Sequence, residues 1–166
     1  MKHIWSPWRL KYMSGTAKKA GCVFCEALQK EDGPENLIIT RSKFTFVILN
    51  LYPYANGHLM VLPLEHCATL EELSPETRFD IMEQTSLAIT VLNAVYQPEG
   101  FNIGINIGEA AGAGIADHIH VHVIPRWNGD ANFLSTVGET RMIAESLSDT
   151  CLRVRQAWFT IHHHPD

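Results

Sequence analysis

No stretch of this 166-residue chain approaches the apolar length needed to span a bilayer. Its polar start, MKHIWSPWRLKYM, lacks the apolar core of a signal peptide, so a soluble, cytoplasmic protein is expected. Cations are too few for a generic basic surface: the formal net charge is −5. Neither a nucleic-acid nor a membrane partner is expected. Any bound anion must be held locally, by backbone N–H groups, imidazoles or single cations. Charged residues make up only 19%, against 46% apolar, which excludes a disordered chain. The length suits one domain with a sizeable core. There is no internal repeat, and the one biased segment is the terminal HHHPD, so 161–166 is expected to be a disordered tail. Cysteines number four, which in a cytoplasmic chain points to thiols or metal ligands rather than disulfides. Only Cys22 and Cys25 are paired by spacing, and Cys67 and Cys151 read as small core hydrophobes.

Apolar runs Leu37–Thr40 and Phe44–Leu49 read as two strands joined by a polar turn, and HLMVLP as a third, closed by Pro63. The period then changes. Ser74 is placed as an N-cap, Pro75 at the first helical position and Glu76 in the first turn. Ile81, Ala88, Leu92 and Val95 follow at helical spacing until Pro98 and Gly100 stop the helix. FNIGINIG alternates again, with Ile103, Ile105 and Ile107 on one face, and HIHVHVIP is a fifth strand. A last amphipathic helix is expected over Arg141–Trp158, where Ile143, Leu147, Val154 and Trp158 share a face. Five short strands around one long helix indicate α+β with an antiparallel sheet. The turns Asn50–Gly57 and Gly108–Ala116 are long for hairpins, and loops of that kind tend to carry function.

The chemistry is concentrated in DHIHVHVIPRW, Asp117–Trp127. Alternation on a strand puts His118, His120 and His122 on one side and Ile119, Val121 and Val123 in the core. Three readings fit: a solvated face, a three-histidine zinc site, or a nucleophilic imidazole with two helpers. A strand rise separates the outer two Cα atoms by about 13 Å, awkward for convergence on one ion. Cys22-Val-Phe-Cys25 is half of a tetrahedral metal site; a redox pair is the alternative, but no thioredoxin-like strand precedes it.

HIHVHVIP resembles the signature of the histidine-triad (HIT) superfamily of nucleotide hydrolases and transferases. The resemblance extends through FTFVILNLYPYANGHLMVLPLEH, GINIGEAAGAGIADH and CVFC, roughly Gly21 to Trp127. It implies a HIT-like fold: a five-stranded antiparallel sheet, a long helix, a C-terminal helix, and a homodimer whose sheet continues across the subunits. It implies His120 as the nucleophile on the α-phosphorus of a nucleotide, His122 beside the phosphate, and His58 supporting the cluster. Asn50 is implied at the ribose, and Asn106 at the phosphate or leaving group. GEAAGAGIAD stands where the family has its phosphate loop, but without the Gln, Ser or Thr of many relatives, so backbone N–H groups near Gly112 and Gly114 are the expected donors. Relatives with the CxxC, and the related galactose-phosphate uridylyltransferases, complete a structural zinc with two histidines, here His66 and His118. No organic cofactor is implied.

WSPWRLKYM and PRWNGDANF resemble the bacterial branch of diadenosine tetraphosphate phosphorylases and hydrolases. Trp5, Trp8 and Trp127 are then core, dimer-contact or adenine-stacking residues, and Arg126 faces phosphate or pairs with an acid. One HIT domain is expected over 1–166: an extension over 1–20, the core over 21–127 and a C-terminal segment over 128–160. The expected activity is cleavage at the α-phosphate of a dinucleoside polyphosphate through a nucleotidyl-histidine. An adenosine phosphoramidase and a nucleotide sensor with little turnover are the alternatives.

Overall fold

The computed structural model describes residues 21–130 and 144–163. Expectations about Trp5, Trp8, Arg141 and Ile143 fall outside these residues. The order is α1 (Val23–Leu28), β1 (Ile38–Arg41), β2 (Thr45–Leu49), β3 (Leu59–Pro63), α2 (Pro75–Tyr96), β4 (Gly100–Ile105), a 3-10 turn (Glu109–Ala111), β5 (Val121–Arg126) and α3 (Leu147–His163). The strands form one sheet in the order β1-β2-β3-β5-β4, every neighbour antiparallel. No helix among the described residues is long and apolar enough to cross a membrane.

Alternation along the strands sorts side chains to two faces. Ile39, Val47, Leu49, Leu59, Val61, Val121 and Val123 meet Ile81, Ala88, Val91 and Leu92 of α2 and Val154 and Trp158 of α3. Ile38, Phe46, Ile48, Met60 and Leu62 point the other way and are covered by Phe24 of α1. Removing a buried ring such as Trp158 costs about 3–5 kcal/mol, so both layers matter to stability. His118 and His120 lie on the α1 side, against Phe24.

Helix α2 begins and ends as the sequence indicates. Ser74 accepts from the Thr77 N–H at 3.0 Å, Pro75 fills the first position, and Gln97 turns left-handed before Pro98. Four expectations need correction. The ladder of β5 starts at Val121, so His118 and His120 precede it: the Ile119 N–H donates to the Cys67 carbonyl at 2.8 Å, and the His118 ring donates to the Pro63 carbonyl at 3.0 Å. Strand β4 ends at Ile105, and Ile107 lies beyond the ladder. The C-terminal helix starts at Leu147, and the described residues 144–146 before it are not helical: Ser146 caps it by accepting from the Asp149 N–H at 3.1 Å. It then runs to His163, past Trp158 and into the stretch expected as tail. Helix α1 was not anticipated; at six residues it is too short to show a helical period.

Candidate active site

Residue Cys22 is the N-cap of α1 and Cys25 lies one turn on, so the helix aims both thiols the same way. His66, just past β3, and His118, just before β5, meet them. The four ligand atoms all lie within 4.8 Å of one another. His118 Nδ1 is 3.4 Å from Cys22 Sγ and 3.7 Å from Cys25 Sγ, and His66 Nδ1 is 3.5 Å from Cys25 Sγ. A tetrahedral zinc with ordinary Zn–S and Zn–N bonds separates sulfur from nitrogen by about 3.5 Å, so the set fits that ion. Burial, then the Cys22 thiol, pushes the Cys25 thiol upward; a bound cation reverses that sense. The His118 tautomer is also settled. A carbonyl only accepts, so Nε2 carries the proton given to Pro63, and Nδ1 keeps a lone pair toward the sulfurs.

His120 is fixed from the opposite side of its ring. Its Nδ1 lies 2.9 Å from the His118 carbonyl and must donate, which leaves the lone pair on Nε2. Phe24 packs against His118 and His120, each ring centroid at 5.5 Å. Burial lowers the pKa of His120, and the bond to the His118 carbonyl only partly opposes this. The ring is therefore neutral near pH 7, as a nitrogen nucleophile requires.

His58 stands fully buried just before β3. Its Nδ1 accepts from the Tyr54 N–H at 3.1 Å, so Nε2 is protonated and donates to His122 Nδ1 at 3.0 Å. His122 therefore carries its own proton on Nε2. Burial, then the neighbouring His120, pushes its pKa down to about 4. The two triad rings meet edge to face at 4.9 Å. On adjacent rings, the bonds thus leave a lone pair on His120 Nε2 and an N–H on His122 Nε2, groups chemically suited to nucleophilic attack and to anion donation.

The remaining expected residues are placed less directly. Asn50 is half-buried at the end of β2, and its Oδ1 accepts from the Tyr52 N–H at 2.9 Å, a turn-forming bond. Asn106 follows β4. Gly104 pairs with His122 and Ile105 with Val121, so Asn106 and His120 both lie just past the end of that ladder. In the loop after β4, Gly108 and Gly112 have positive φ, and the N–H groups of Ala111, Gly112 and Ala113 donate to the carbonyls of Gly108 and Glu109. The Gly112 N–H is thereby occupied within the loop, which the sequence could not reveal. Arg126 pairs with Asp130 at 2.6 Å and donates to Asn102. Sequence reasoning passed over Tyr54, whose ring stacks on His122 at 6.2 Å and touches His58 at 4.8 Å. Its only signal was its position in the long turn.

Residues 30–129 match the family model for the HIT domain. The chain belongs to the HIT family. An AP-4-A phosphorylase of Mycobacterium tuberculosis is 37% identical over 166 aligned residues, 95% of this chain and 85% of the relative. An adenosine 5'-monophosphoramidase of Schizosaccharomyces pombe is 35% identical over 107 residues, covering 64% and 75%. A Zn-bound histidine triad family protein of Mycobacterium smegmatis superposes with a TM-score of 0.69 at 25% identity, over 87% of this chain and 97% of that one. This HIT chain therefore shares most of its length with a nucleotide phosphorylase, and its fold with a zinc-bound protein.

Proposed function

We propose that the protein cleaves dinucleoside polyphosphates at an α-phosphate by double displacement. The observation that carries this is the tautomer pattern: an Nε2 lone pair on His120 beside an Nε2–H on His122. His120 Nε2 attacks the α-phosphorus while the bond to the bridging oxygen breaks, and the departing polyphosphate takes the electron pair. His122 donates a hydrogen bond to a phosphate oxygen throughout. An acceptor oxygen, from water or inorganic phosphate, then displaces the nucleoside monophosphate from the imidazole. Similarity to the mycobacterial phosphorylase over nearly the whole chain supports this substrate class.

In this reading Asn50 binds the ribose, Asn106 and the Gly112–Gly114 stretch face the phosphates, and His58 holds His122. Cys22, Cys25, His66 and His118 hold one structural zinc, which bonds the N-terminal side of the domain to the segment bearing His120. The whole chain acts as one HIT domain and forms a homodimer through β4, the last strand in the sheet order, where Ile103 is 42% exposed. None of the four cysteines is in a disulfide, which agrees with a reducing cytoplasm.

The test is product analysis on diadenosine tetraphosphate with and without inorganic phosphate. AMP and ATP without phosphate make it a hydrolase; ADP and ATP appearing only with phosphate make it a phosphorylase. Release of AMP from adenosine phosphoramidate alone supports the phosphoramidase reading, which the fission-yeast relative favours. Nucleotide binding with no turnover of either compound leaves a sensor.

A further inference from the structure

Two consecutive residues just before α3, Ala144 and Glu145, hold two consecutive residues of the turn that ends in His58. The Asn56 side chain accepts from the Ala144 N–H at 3.2 Å. Gly57 packs on the end of α2, where a Cβ would stand 2.9 Å from Tyr96 Cε2 and 3.1 Å from Tyr96 Cδ2. Glu145 holds that ring in turn: its Oε2 accepts from the Tyr96 hydroxyl at 2.6 Å. Burial, then this bond, pushes the Tyr96 phenol up to about 12, so it stays a donor near neutral pH. Glu145 is itself fixed. Thr150 donates to its Oε2 at 3.0 Å, Arg153 pairs with its Oε1 at 2.8 Å, and only 13% of its side chain is exposed. Burying a carboxylate costs desolvation, which these three partners offset while leaving it one position.

His58 follows Gly57 directly, and its ring meets His122 at 3.0 Å. A hydrogen bond weakens steeply as it is misaligned, so this one depends on where the backbone of the turn is set. Bonds within the turn, from the Tyr54 N–H to His58 Nδ1 and from the His58 N–H to the Ala55 carbonyl, give it its shape. The Asn50 N–H ties its far end to β2 through the His58 carbonyl. Asn56 and Gly57 are its anchors to α2 and to the start of α3. We propose that Glu145 is a positioning residue: through Tyr96, and beside the Ala144–Asn56 bond, it sets the 54–58 turn and so aligns His58 with His122. Its effect on rate rests on the nucleotidyl-transfer reading above. Glu145 acts at two removes from the triad, carboxylate to phenol and ring to backbone.

The experiment introduces Tyr96→Phe, which removes the bond to Glu145 and keeps the ring against Gly57, into wild type and into His58→Ala. Turnover of diadenosine tetraphosphate is measured well below the unfolding temperature. Tyr96→Phe is expected to lower kcat about three- to ten-fold with KM within about two-fold, and to change kcat under about two-fold once His58 is replaced. Glu145→Ala should reproduce the loss, and Glu145→Gln, whose amide oxygen can still accept from the phenol, should recover most of it. If Glu145→Ala does not fold, Tyr96→Phe decides. Imidazole nitrogen NMR signals give a readout independent of turnover: those of His58 and His122 shift in Tyr96→Phe, and those of His118 do not. A lowered Tm with kcat and imidazole signals unchanged would assign the network to stability alone and overturn the proposal. An equal loss of kcat in the His58→Ala background would overturn it too. A wild type that binds the tetraphosphate without cleaving it refutes the nucleotidyl-transfer reading instead, and the imidazole signals then still decide whether Glu145 sets His58.

Discussion

The carbonyl of His118 accepts the Nδ1–H of His120 at 2.9 Å, while the ring of His118 turns Nδ1 toward Cys22 and Cys25. One residue therefore faces the cysteines with its side chain and holds the proposed nucleophile with its backbone. If the four residues hold the proposed zinc, distortion of that site reaches His120 through a single peptide unit, and metal content and activity are expected to be linked without the metal touching substrate.

That link gives the first prediction. The purified protein contains about one zinc per chain by elemental analysis, and Cys22→Ser loses it. Loss lowers stability by several kcal/mol, on the order of 10 °C in Tm. It also lowers activity, though no triad side chain has changed. A wild type that is metal-free and unaltered by chelators would contradict the assignment.

The His58–His122 bond gives the second. His58→Ala removes the donor that holds His122 in its Nε2–H tautomer. We expect kcat to fall about ten- to a hundred-fold with a smaller change in KM, measured by steady-state kinetics. His58→Asn, whose amide can still donate, should recover part of the loss.

Two of the shifted groups give separable limbs in the pH dependence of stability. His122 is pushed down to about 4 from an ordinary 6.5, faced by His58, His120 and Tyr54. Between those values the unfolded chain holds the proton and the folded chain does not, so stability falls as pH drops from 6.5 toward 4. In His122→Asn that part of the slope disappears, up to about 3 kcal/mol. Tyr96 behaves oppositely. Burial, then its bond to Glu145 at 2.6 Å, pushes it up to about 12 from 10. The folded state there holds the proton longer, and stability falls as pH rises from 10 to 12. Denaturant unfolding across pH, with Tyr96→Phe as control, checks both limbs.

Gly57 offers a purely steric test. Its φ is +73°, and a Cβ would lie 2.9 Å from Leu92 Cδ2 and from Tyr96 Cε2. Gly57→Ala should destabilise by about 1–3 kcal/mol in denaturant unfolding and displace His58, so activity falls as well. Unchanged stability would mean that the turn before β3 relaxes freely.

The strands and the long helix were legible because periodicity is a local property of sequence, and so was the Cys22–Cys25 half-site by its spacing; His66 and His118 as its partners came only from the resemblance to the family. Other features were not. The cap at Ser146 lies beyond the expected helix start, and six residues of α1 cannot establish a period. The late start of the β5 ladder depends on bonds to Cys67 and Pro63, which are distant in sequence. Tautomers were invisible for the same reason: each depends on a partner brought by folding, the Pro63 carbonyl for His118 and the Tyr54 N–H for His58. Tyr54 itself reads as one more turn residue until its ring is seen on His122.

The most direct test of the central claim is to look for the covalent intermediate. Wild-type protein is mixed with diadenosine tetraphosphate, quenched under conditions that preserve phosphoramidate bonds, digested and analysed by mass spectrometry. The account predicts one adenosine monophosphate on the peptide containing His120, absent in His120→Asn. Turnover without any adduct, or an adduct on another residue, would contradict it.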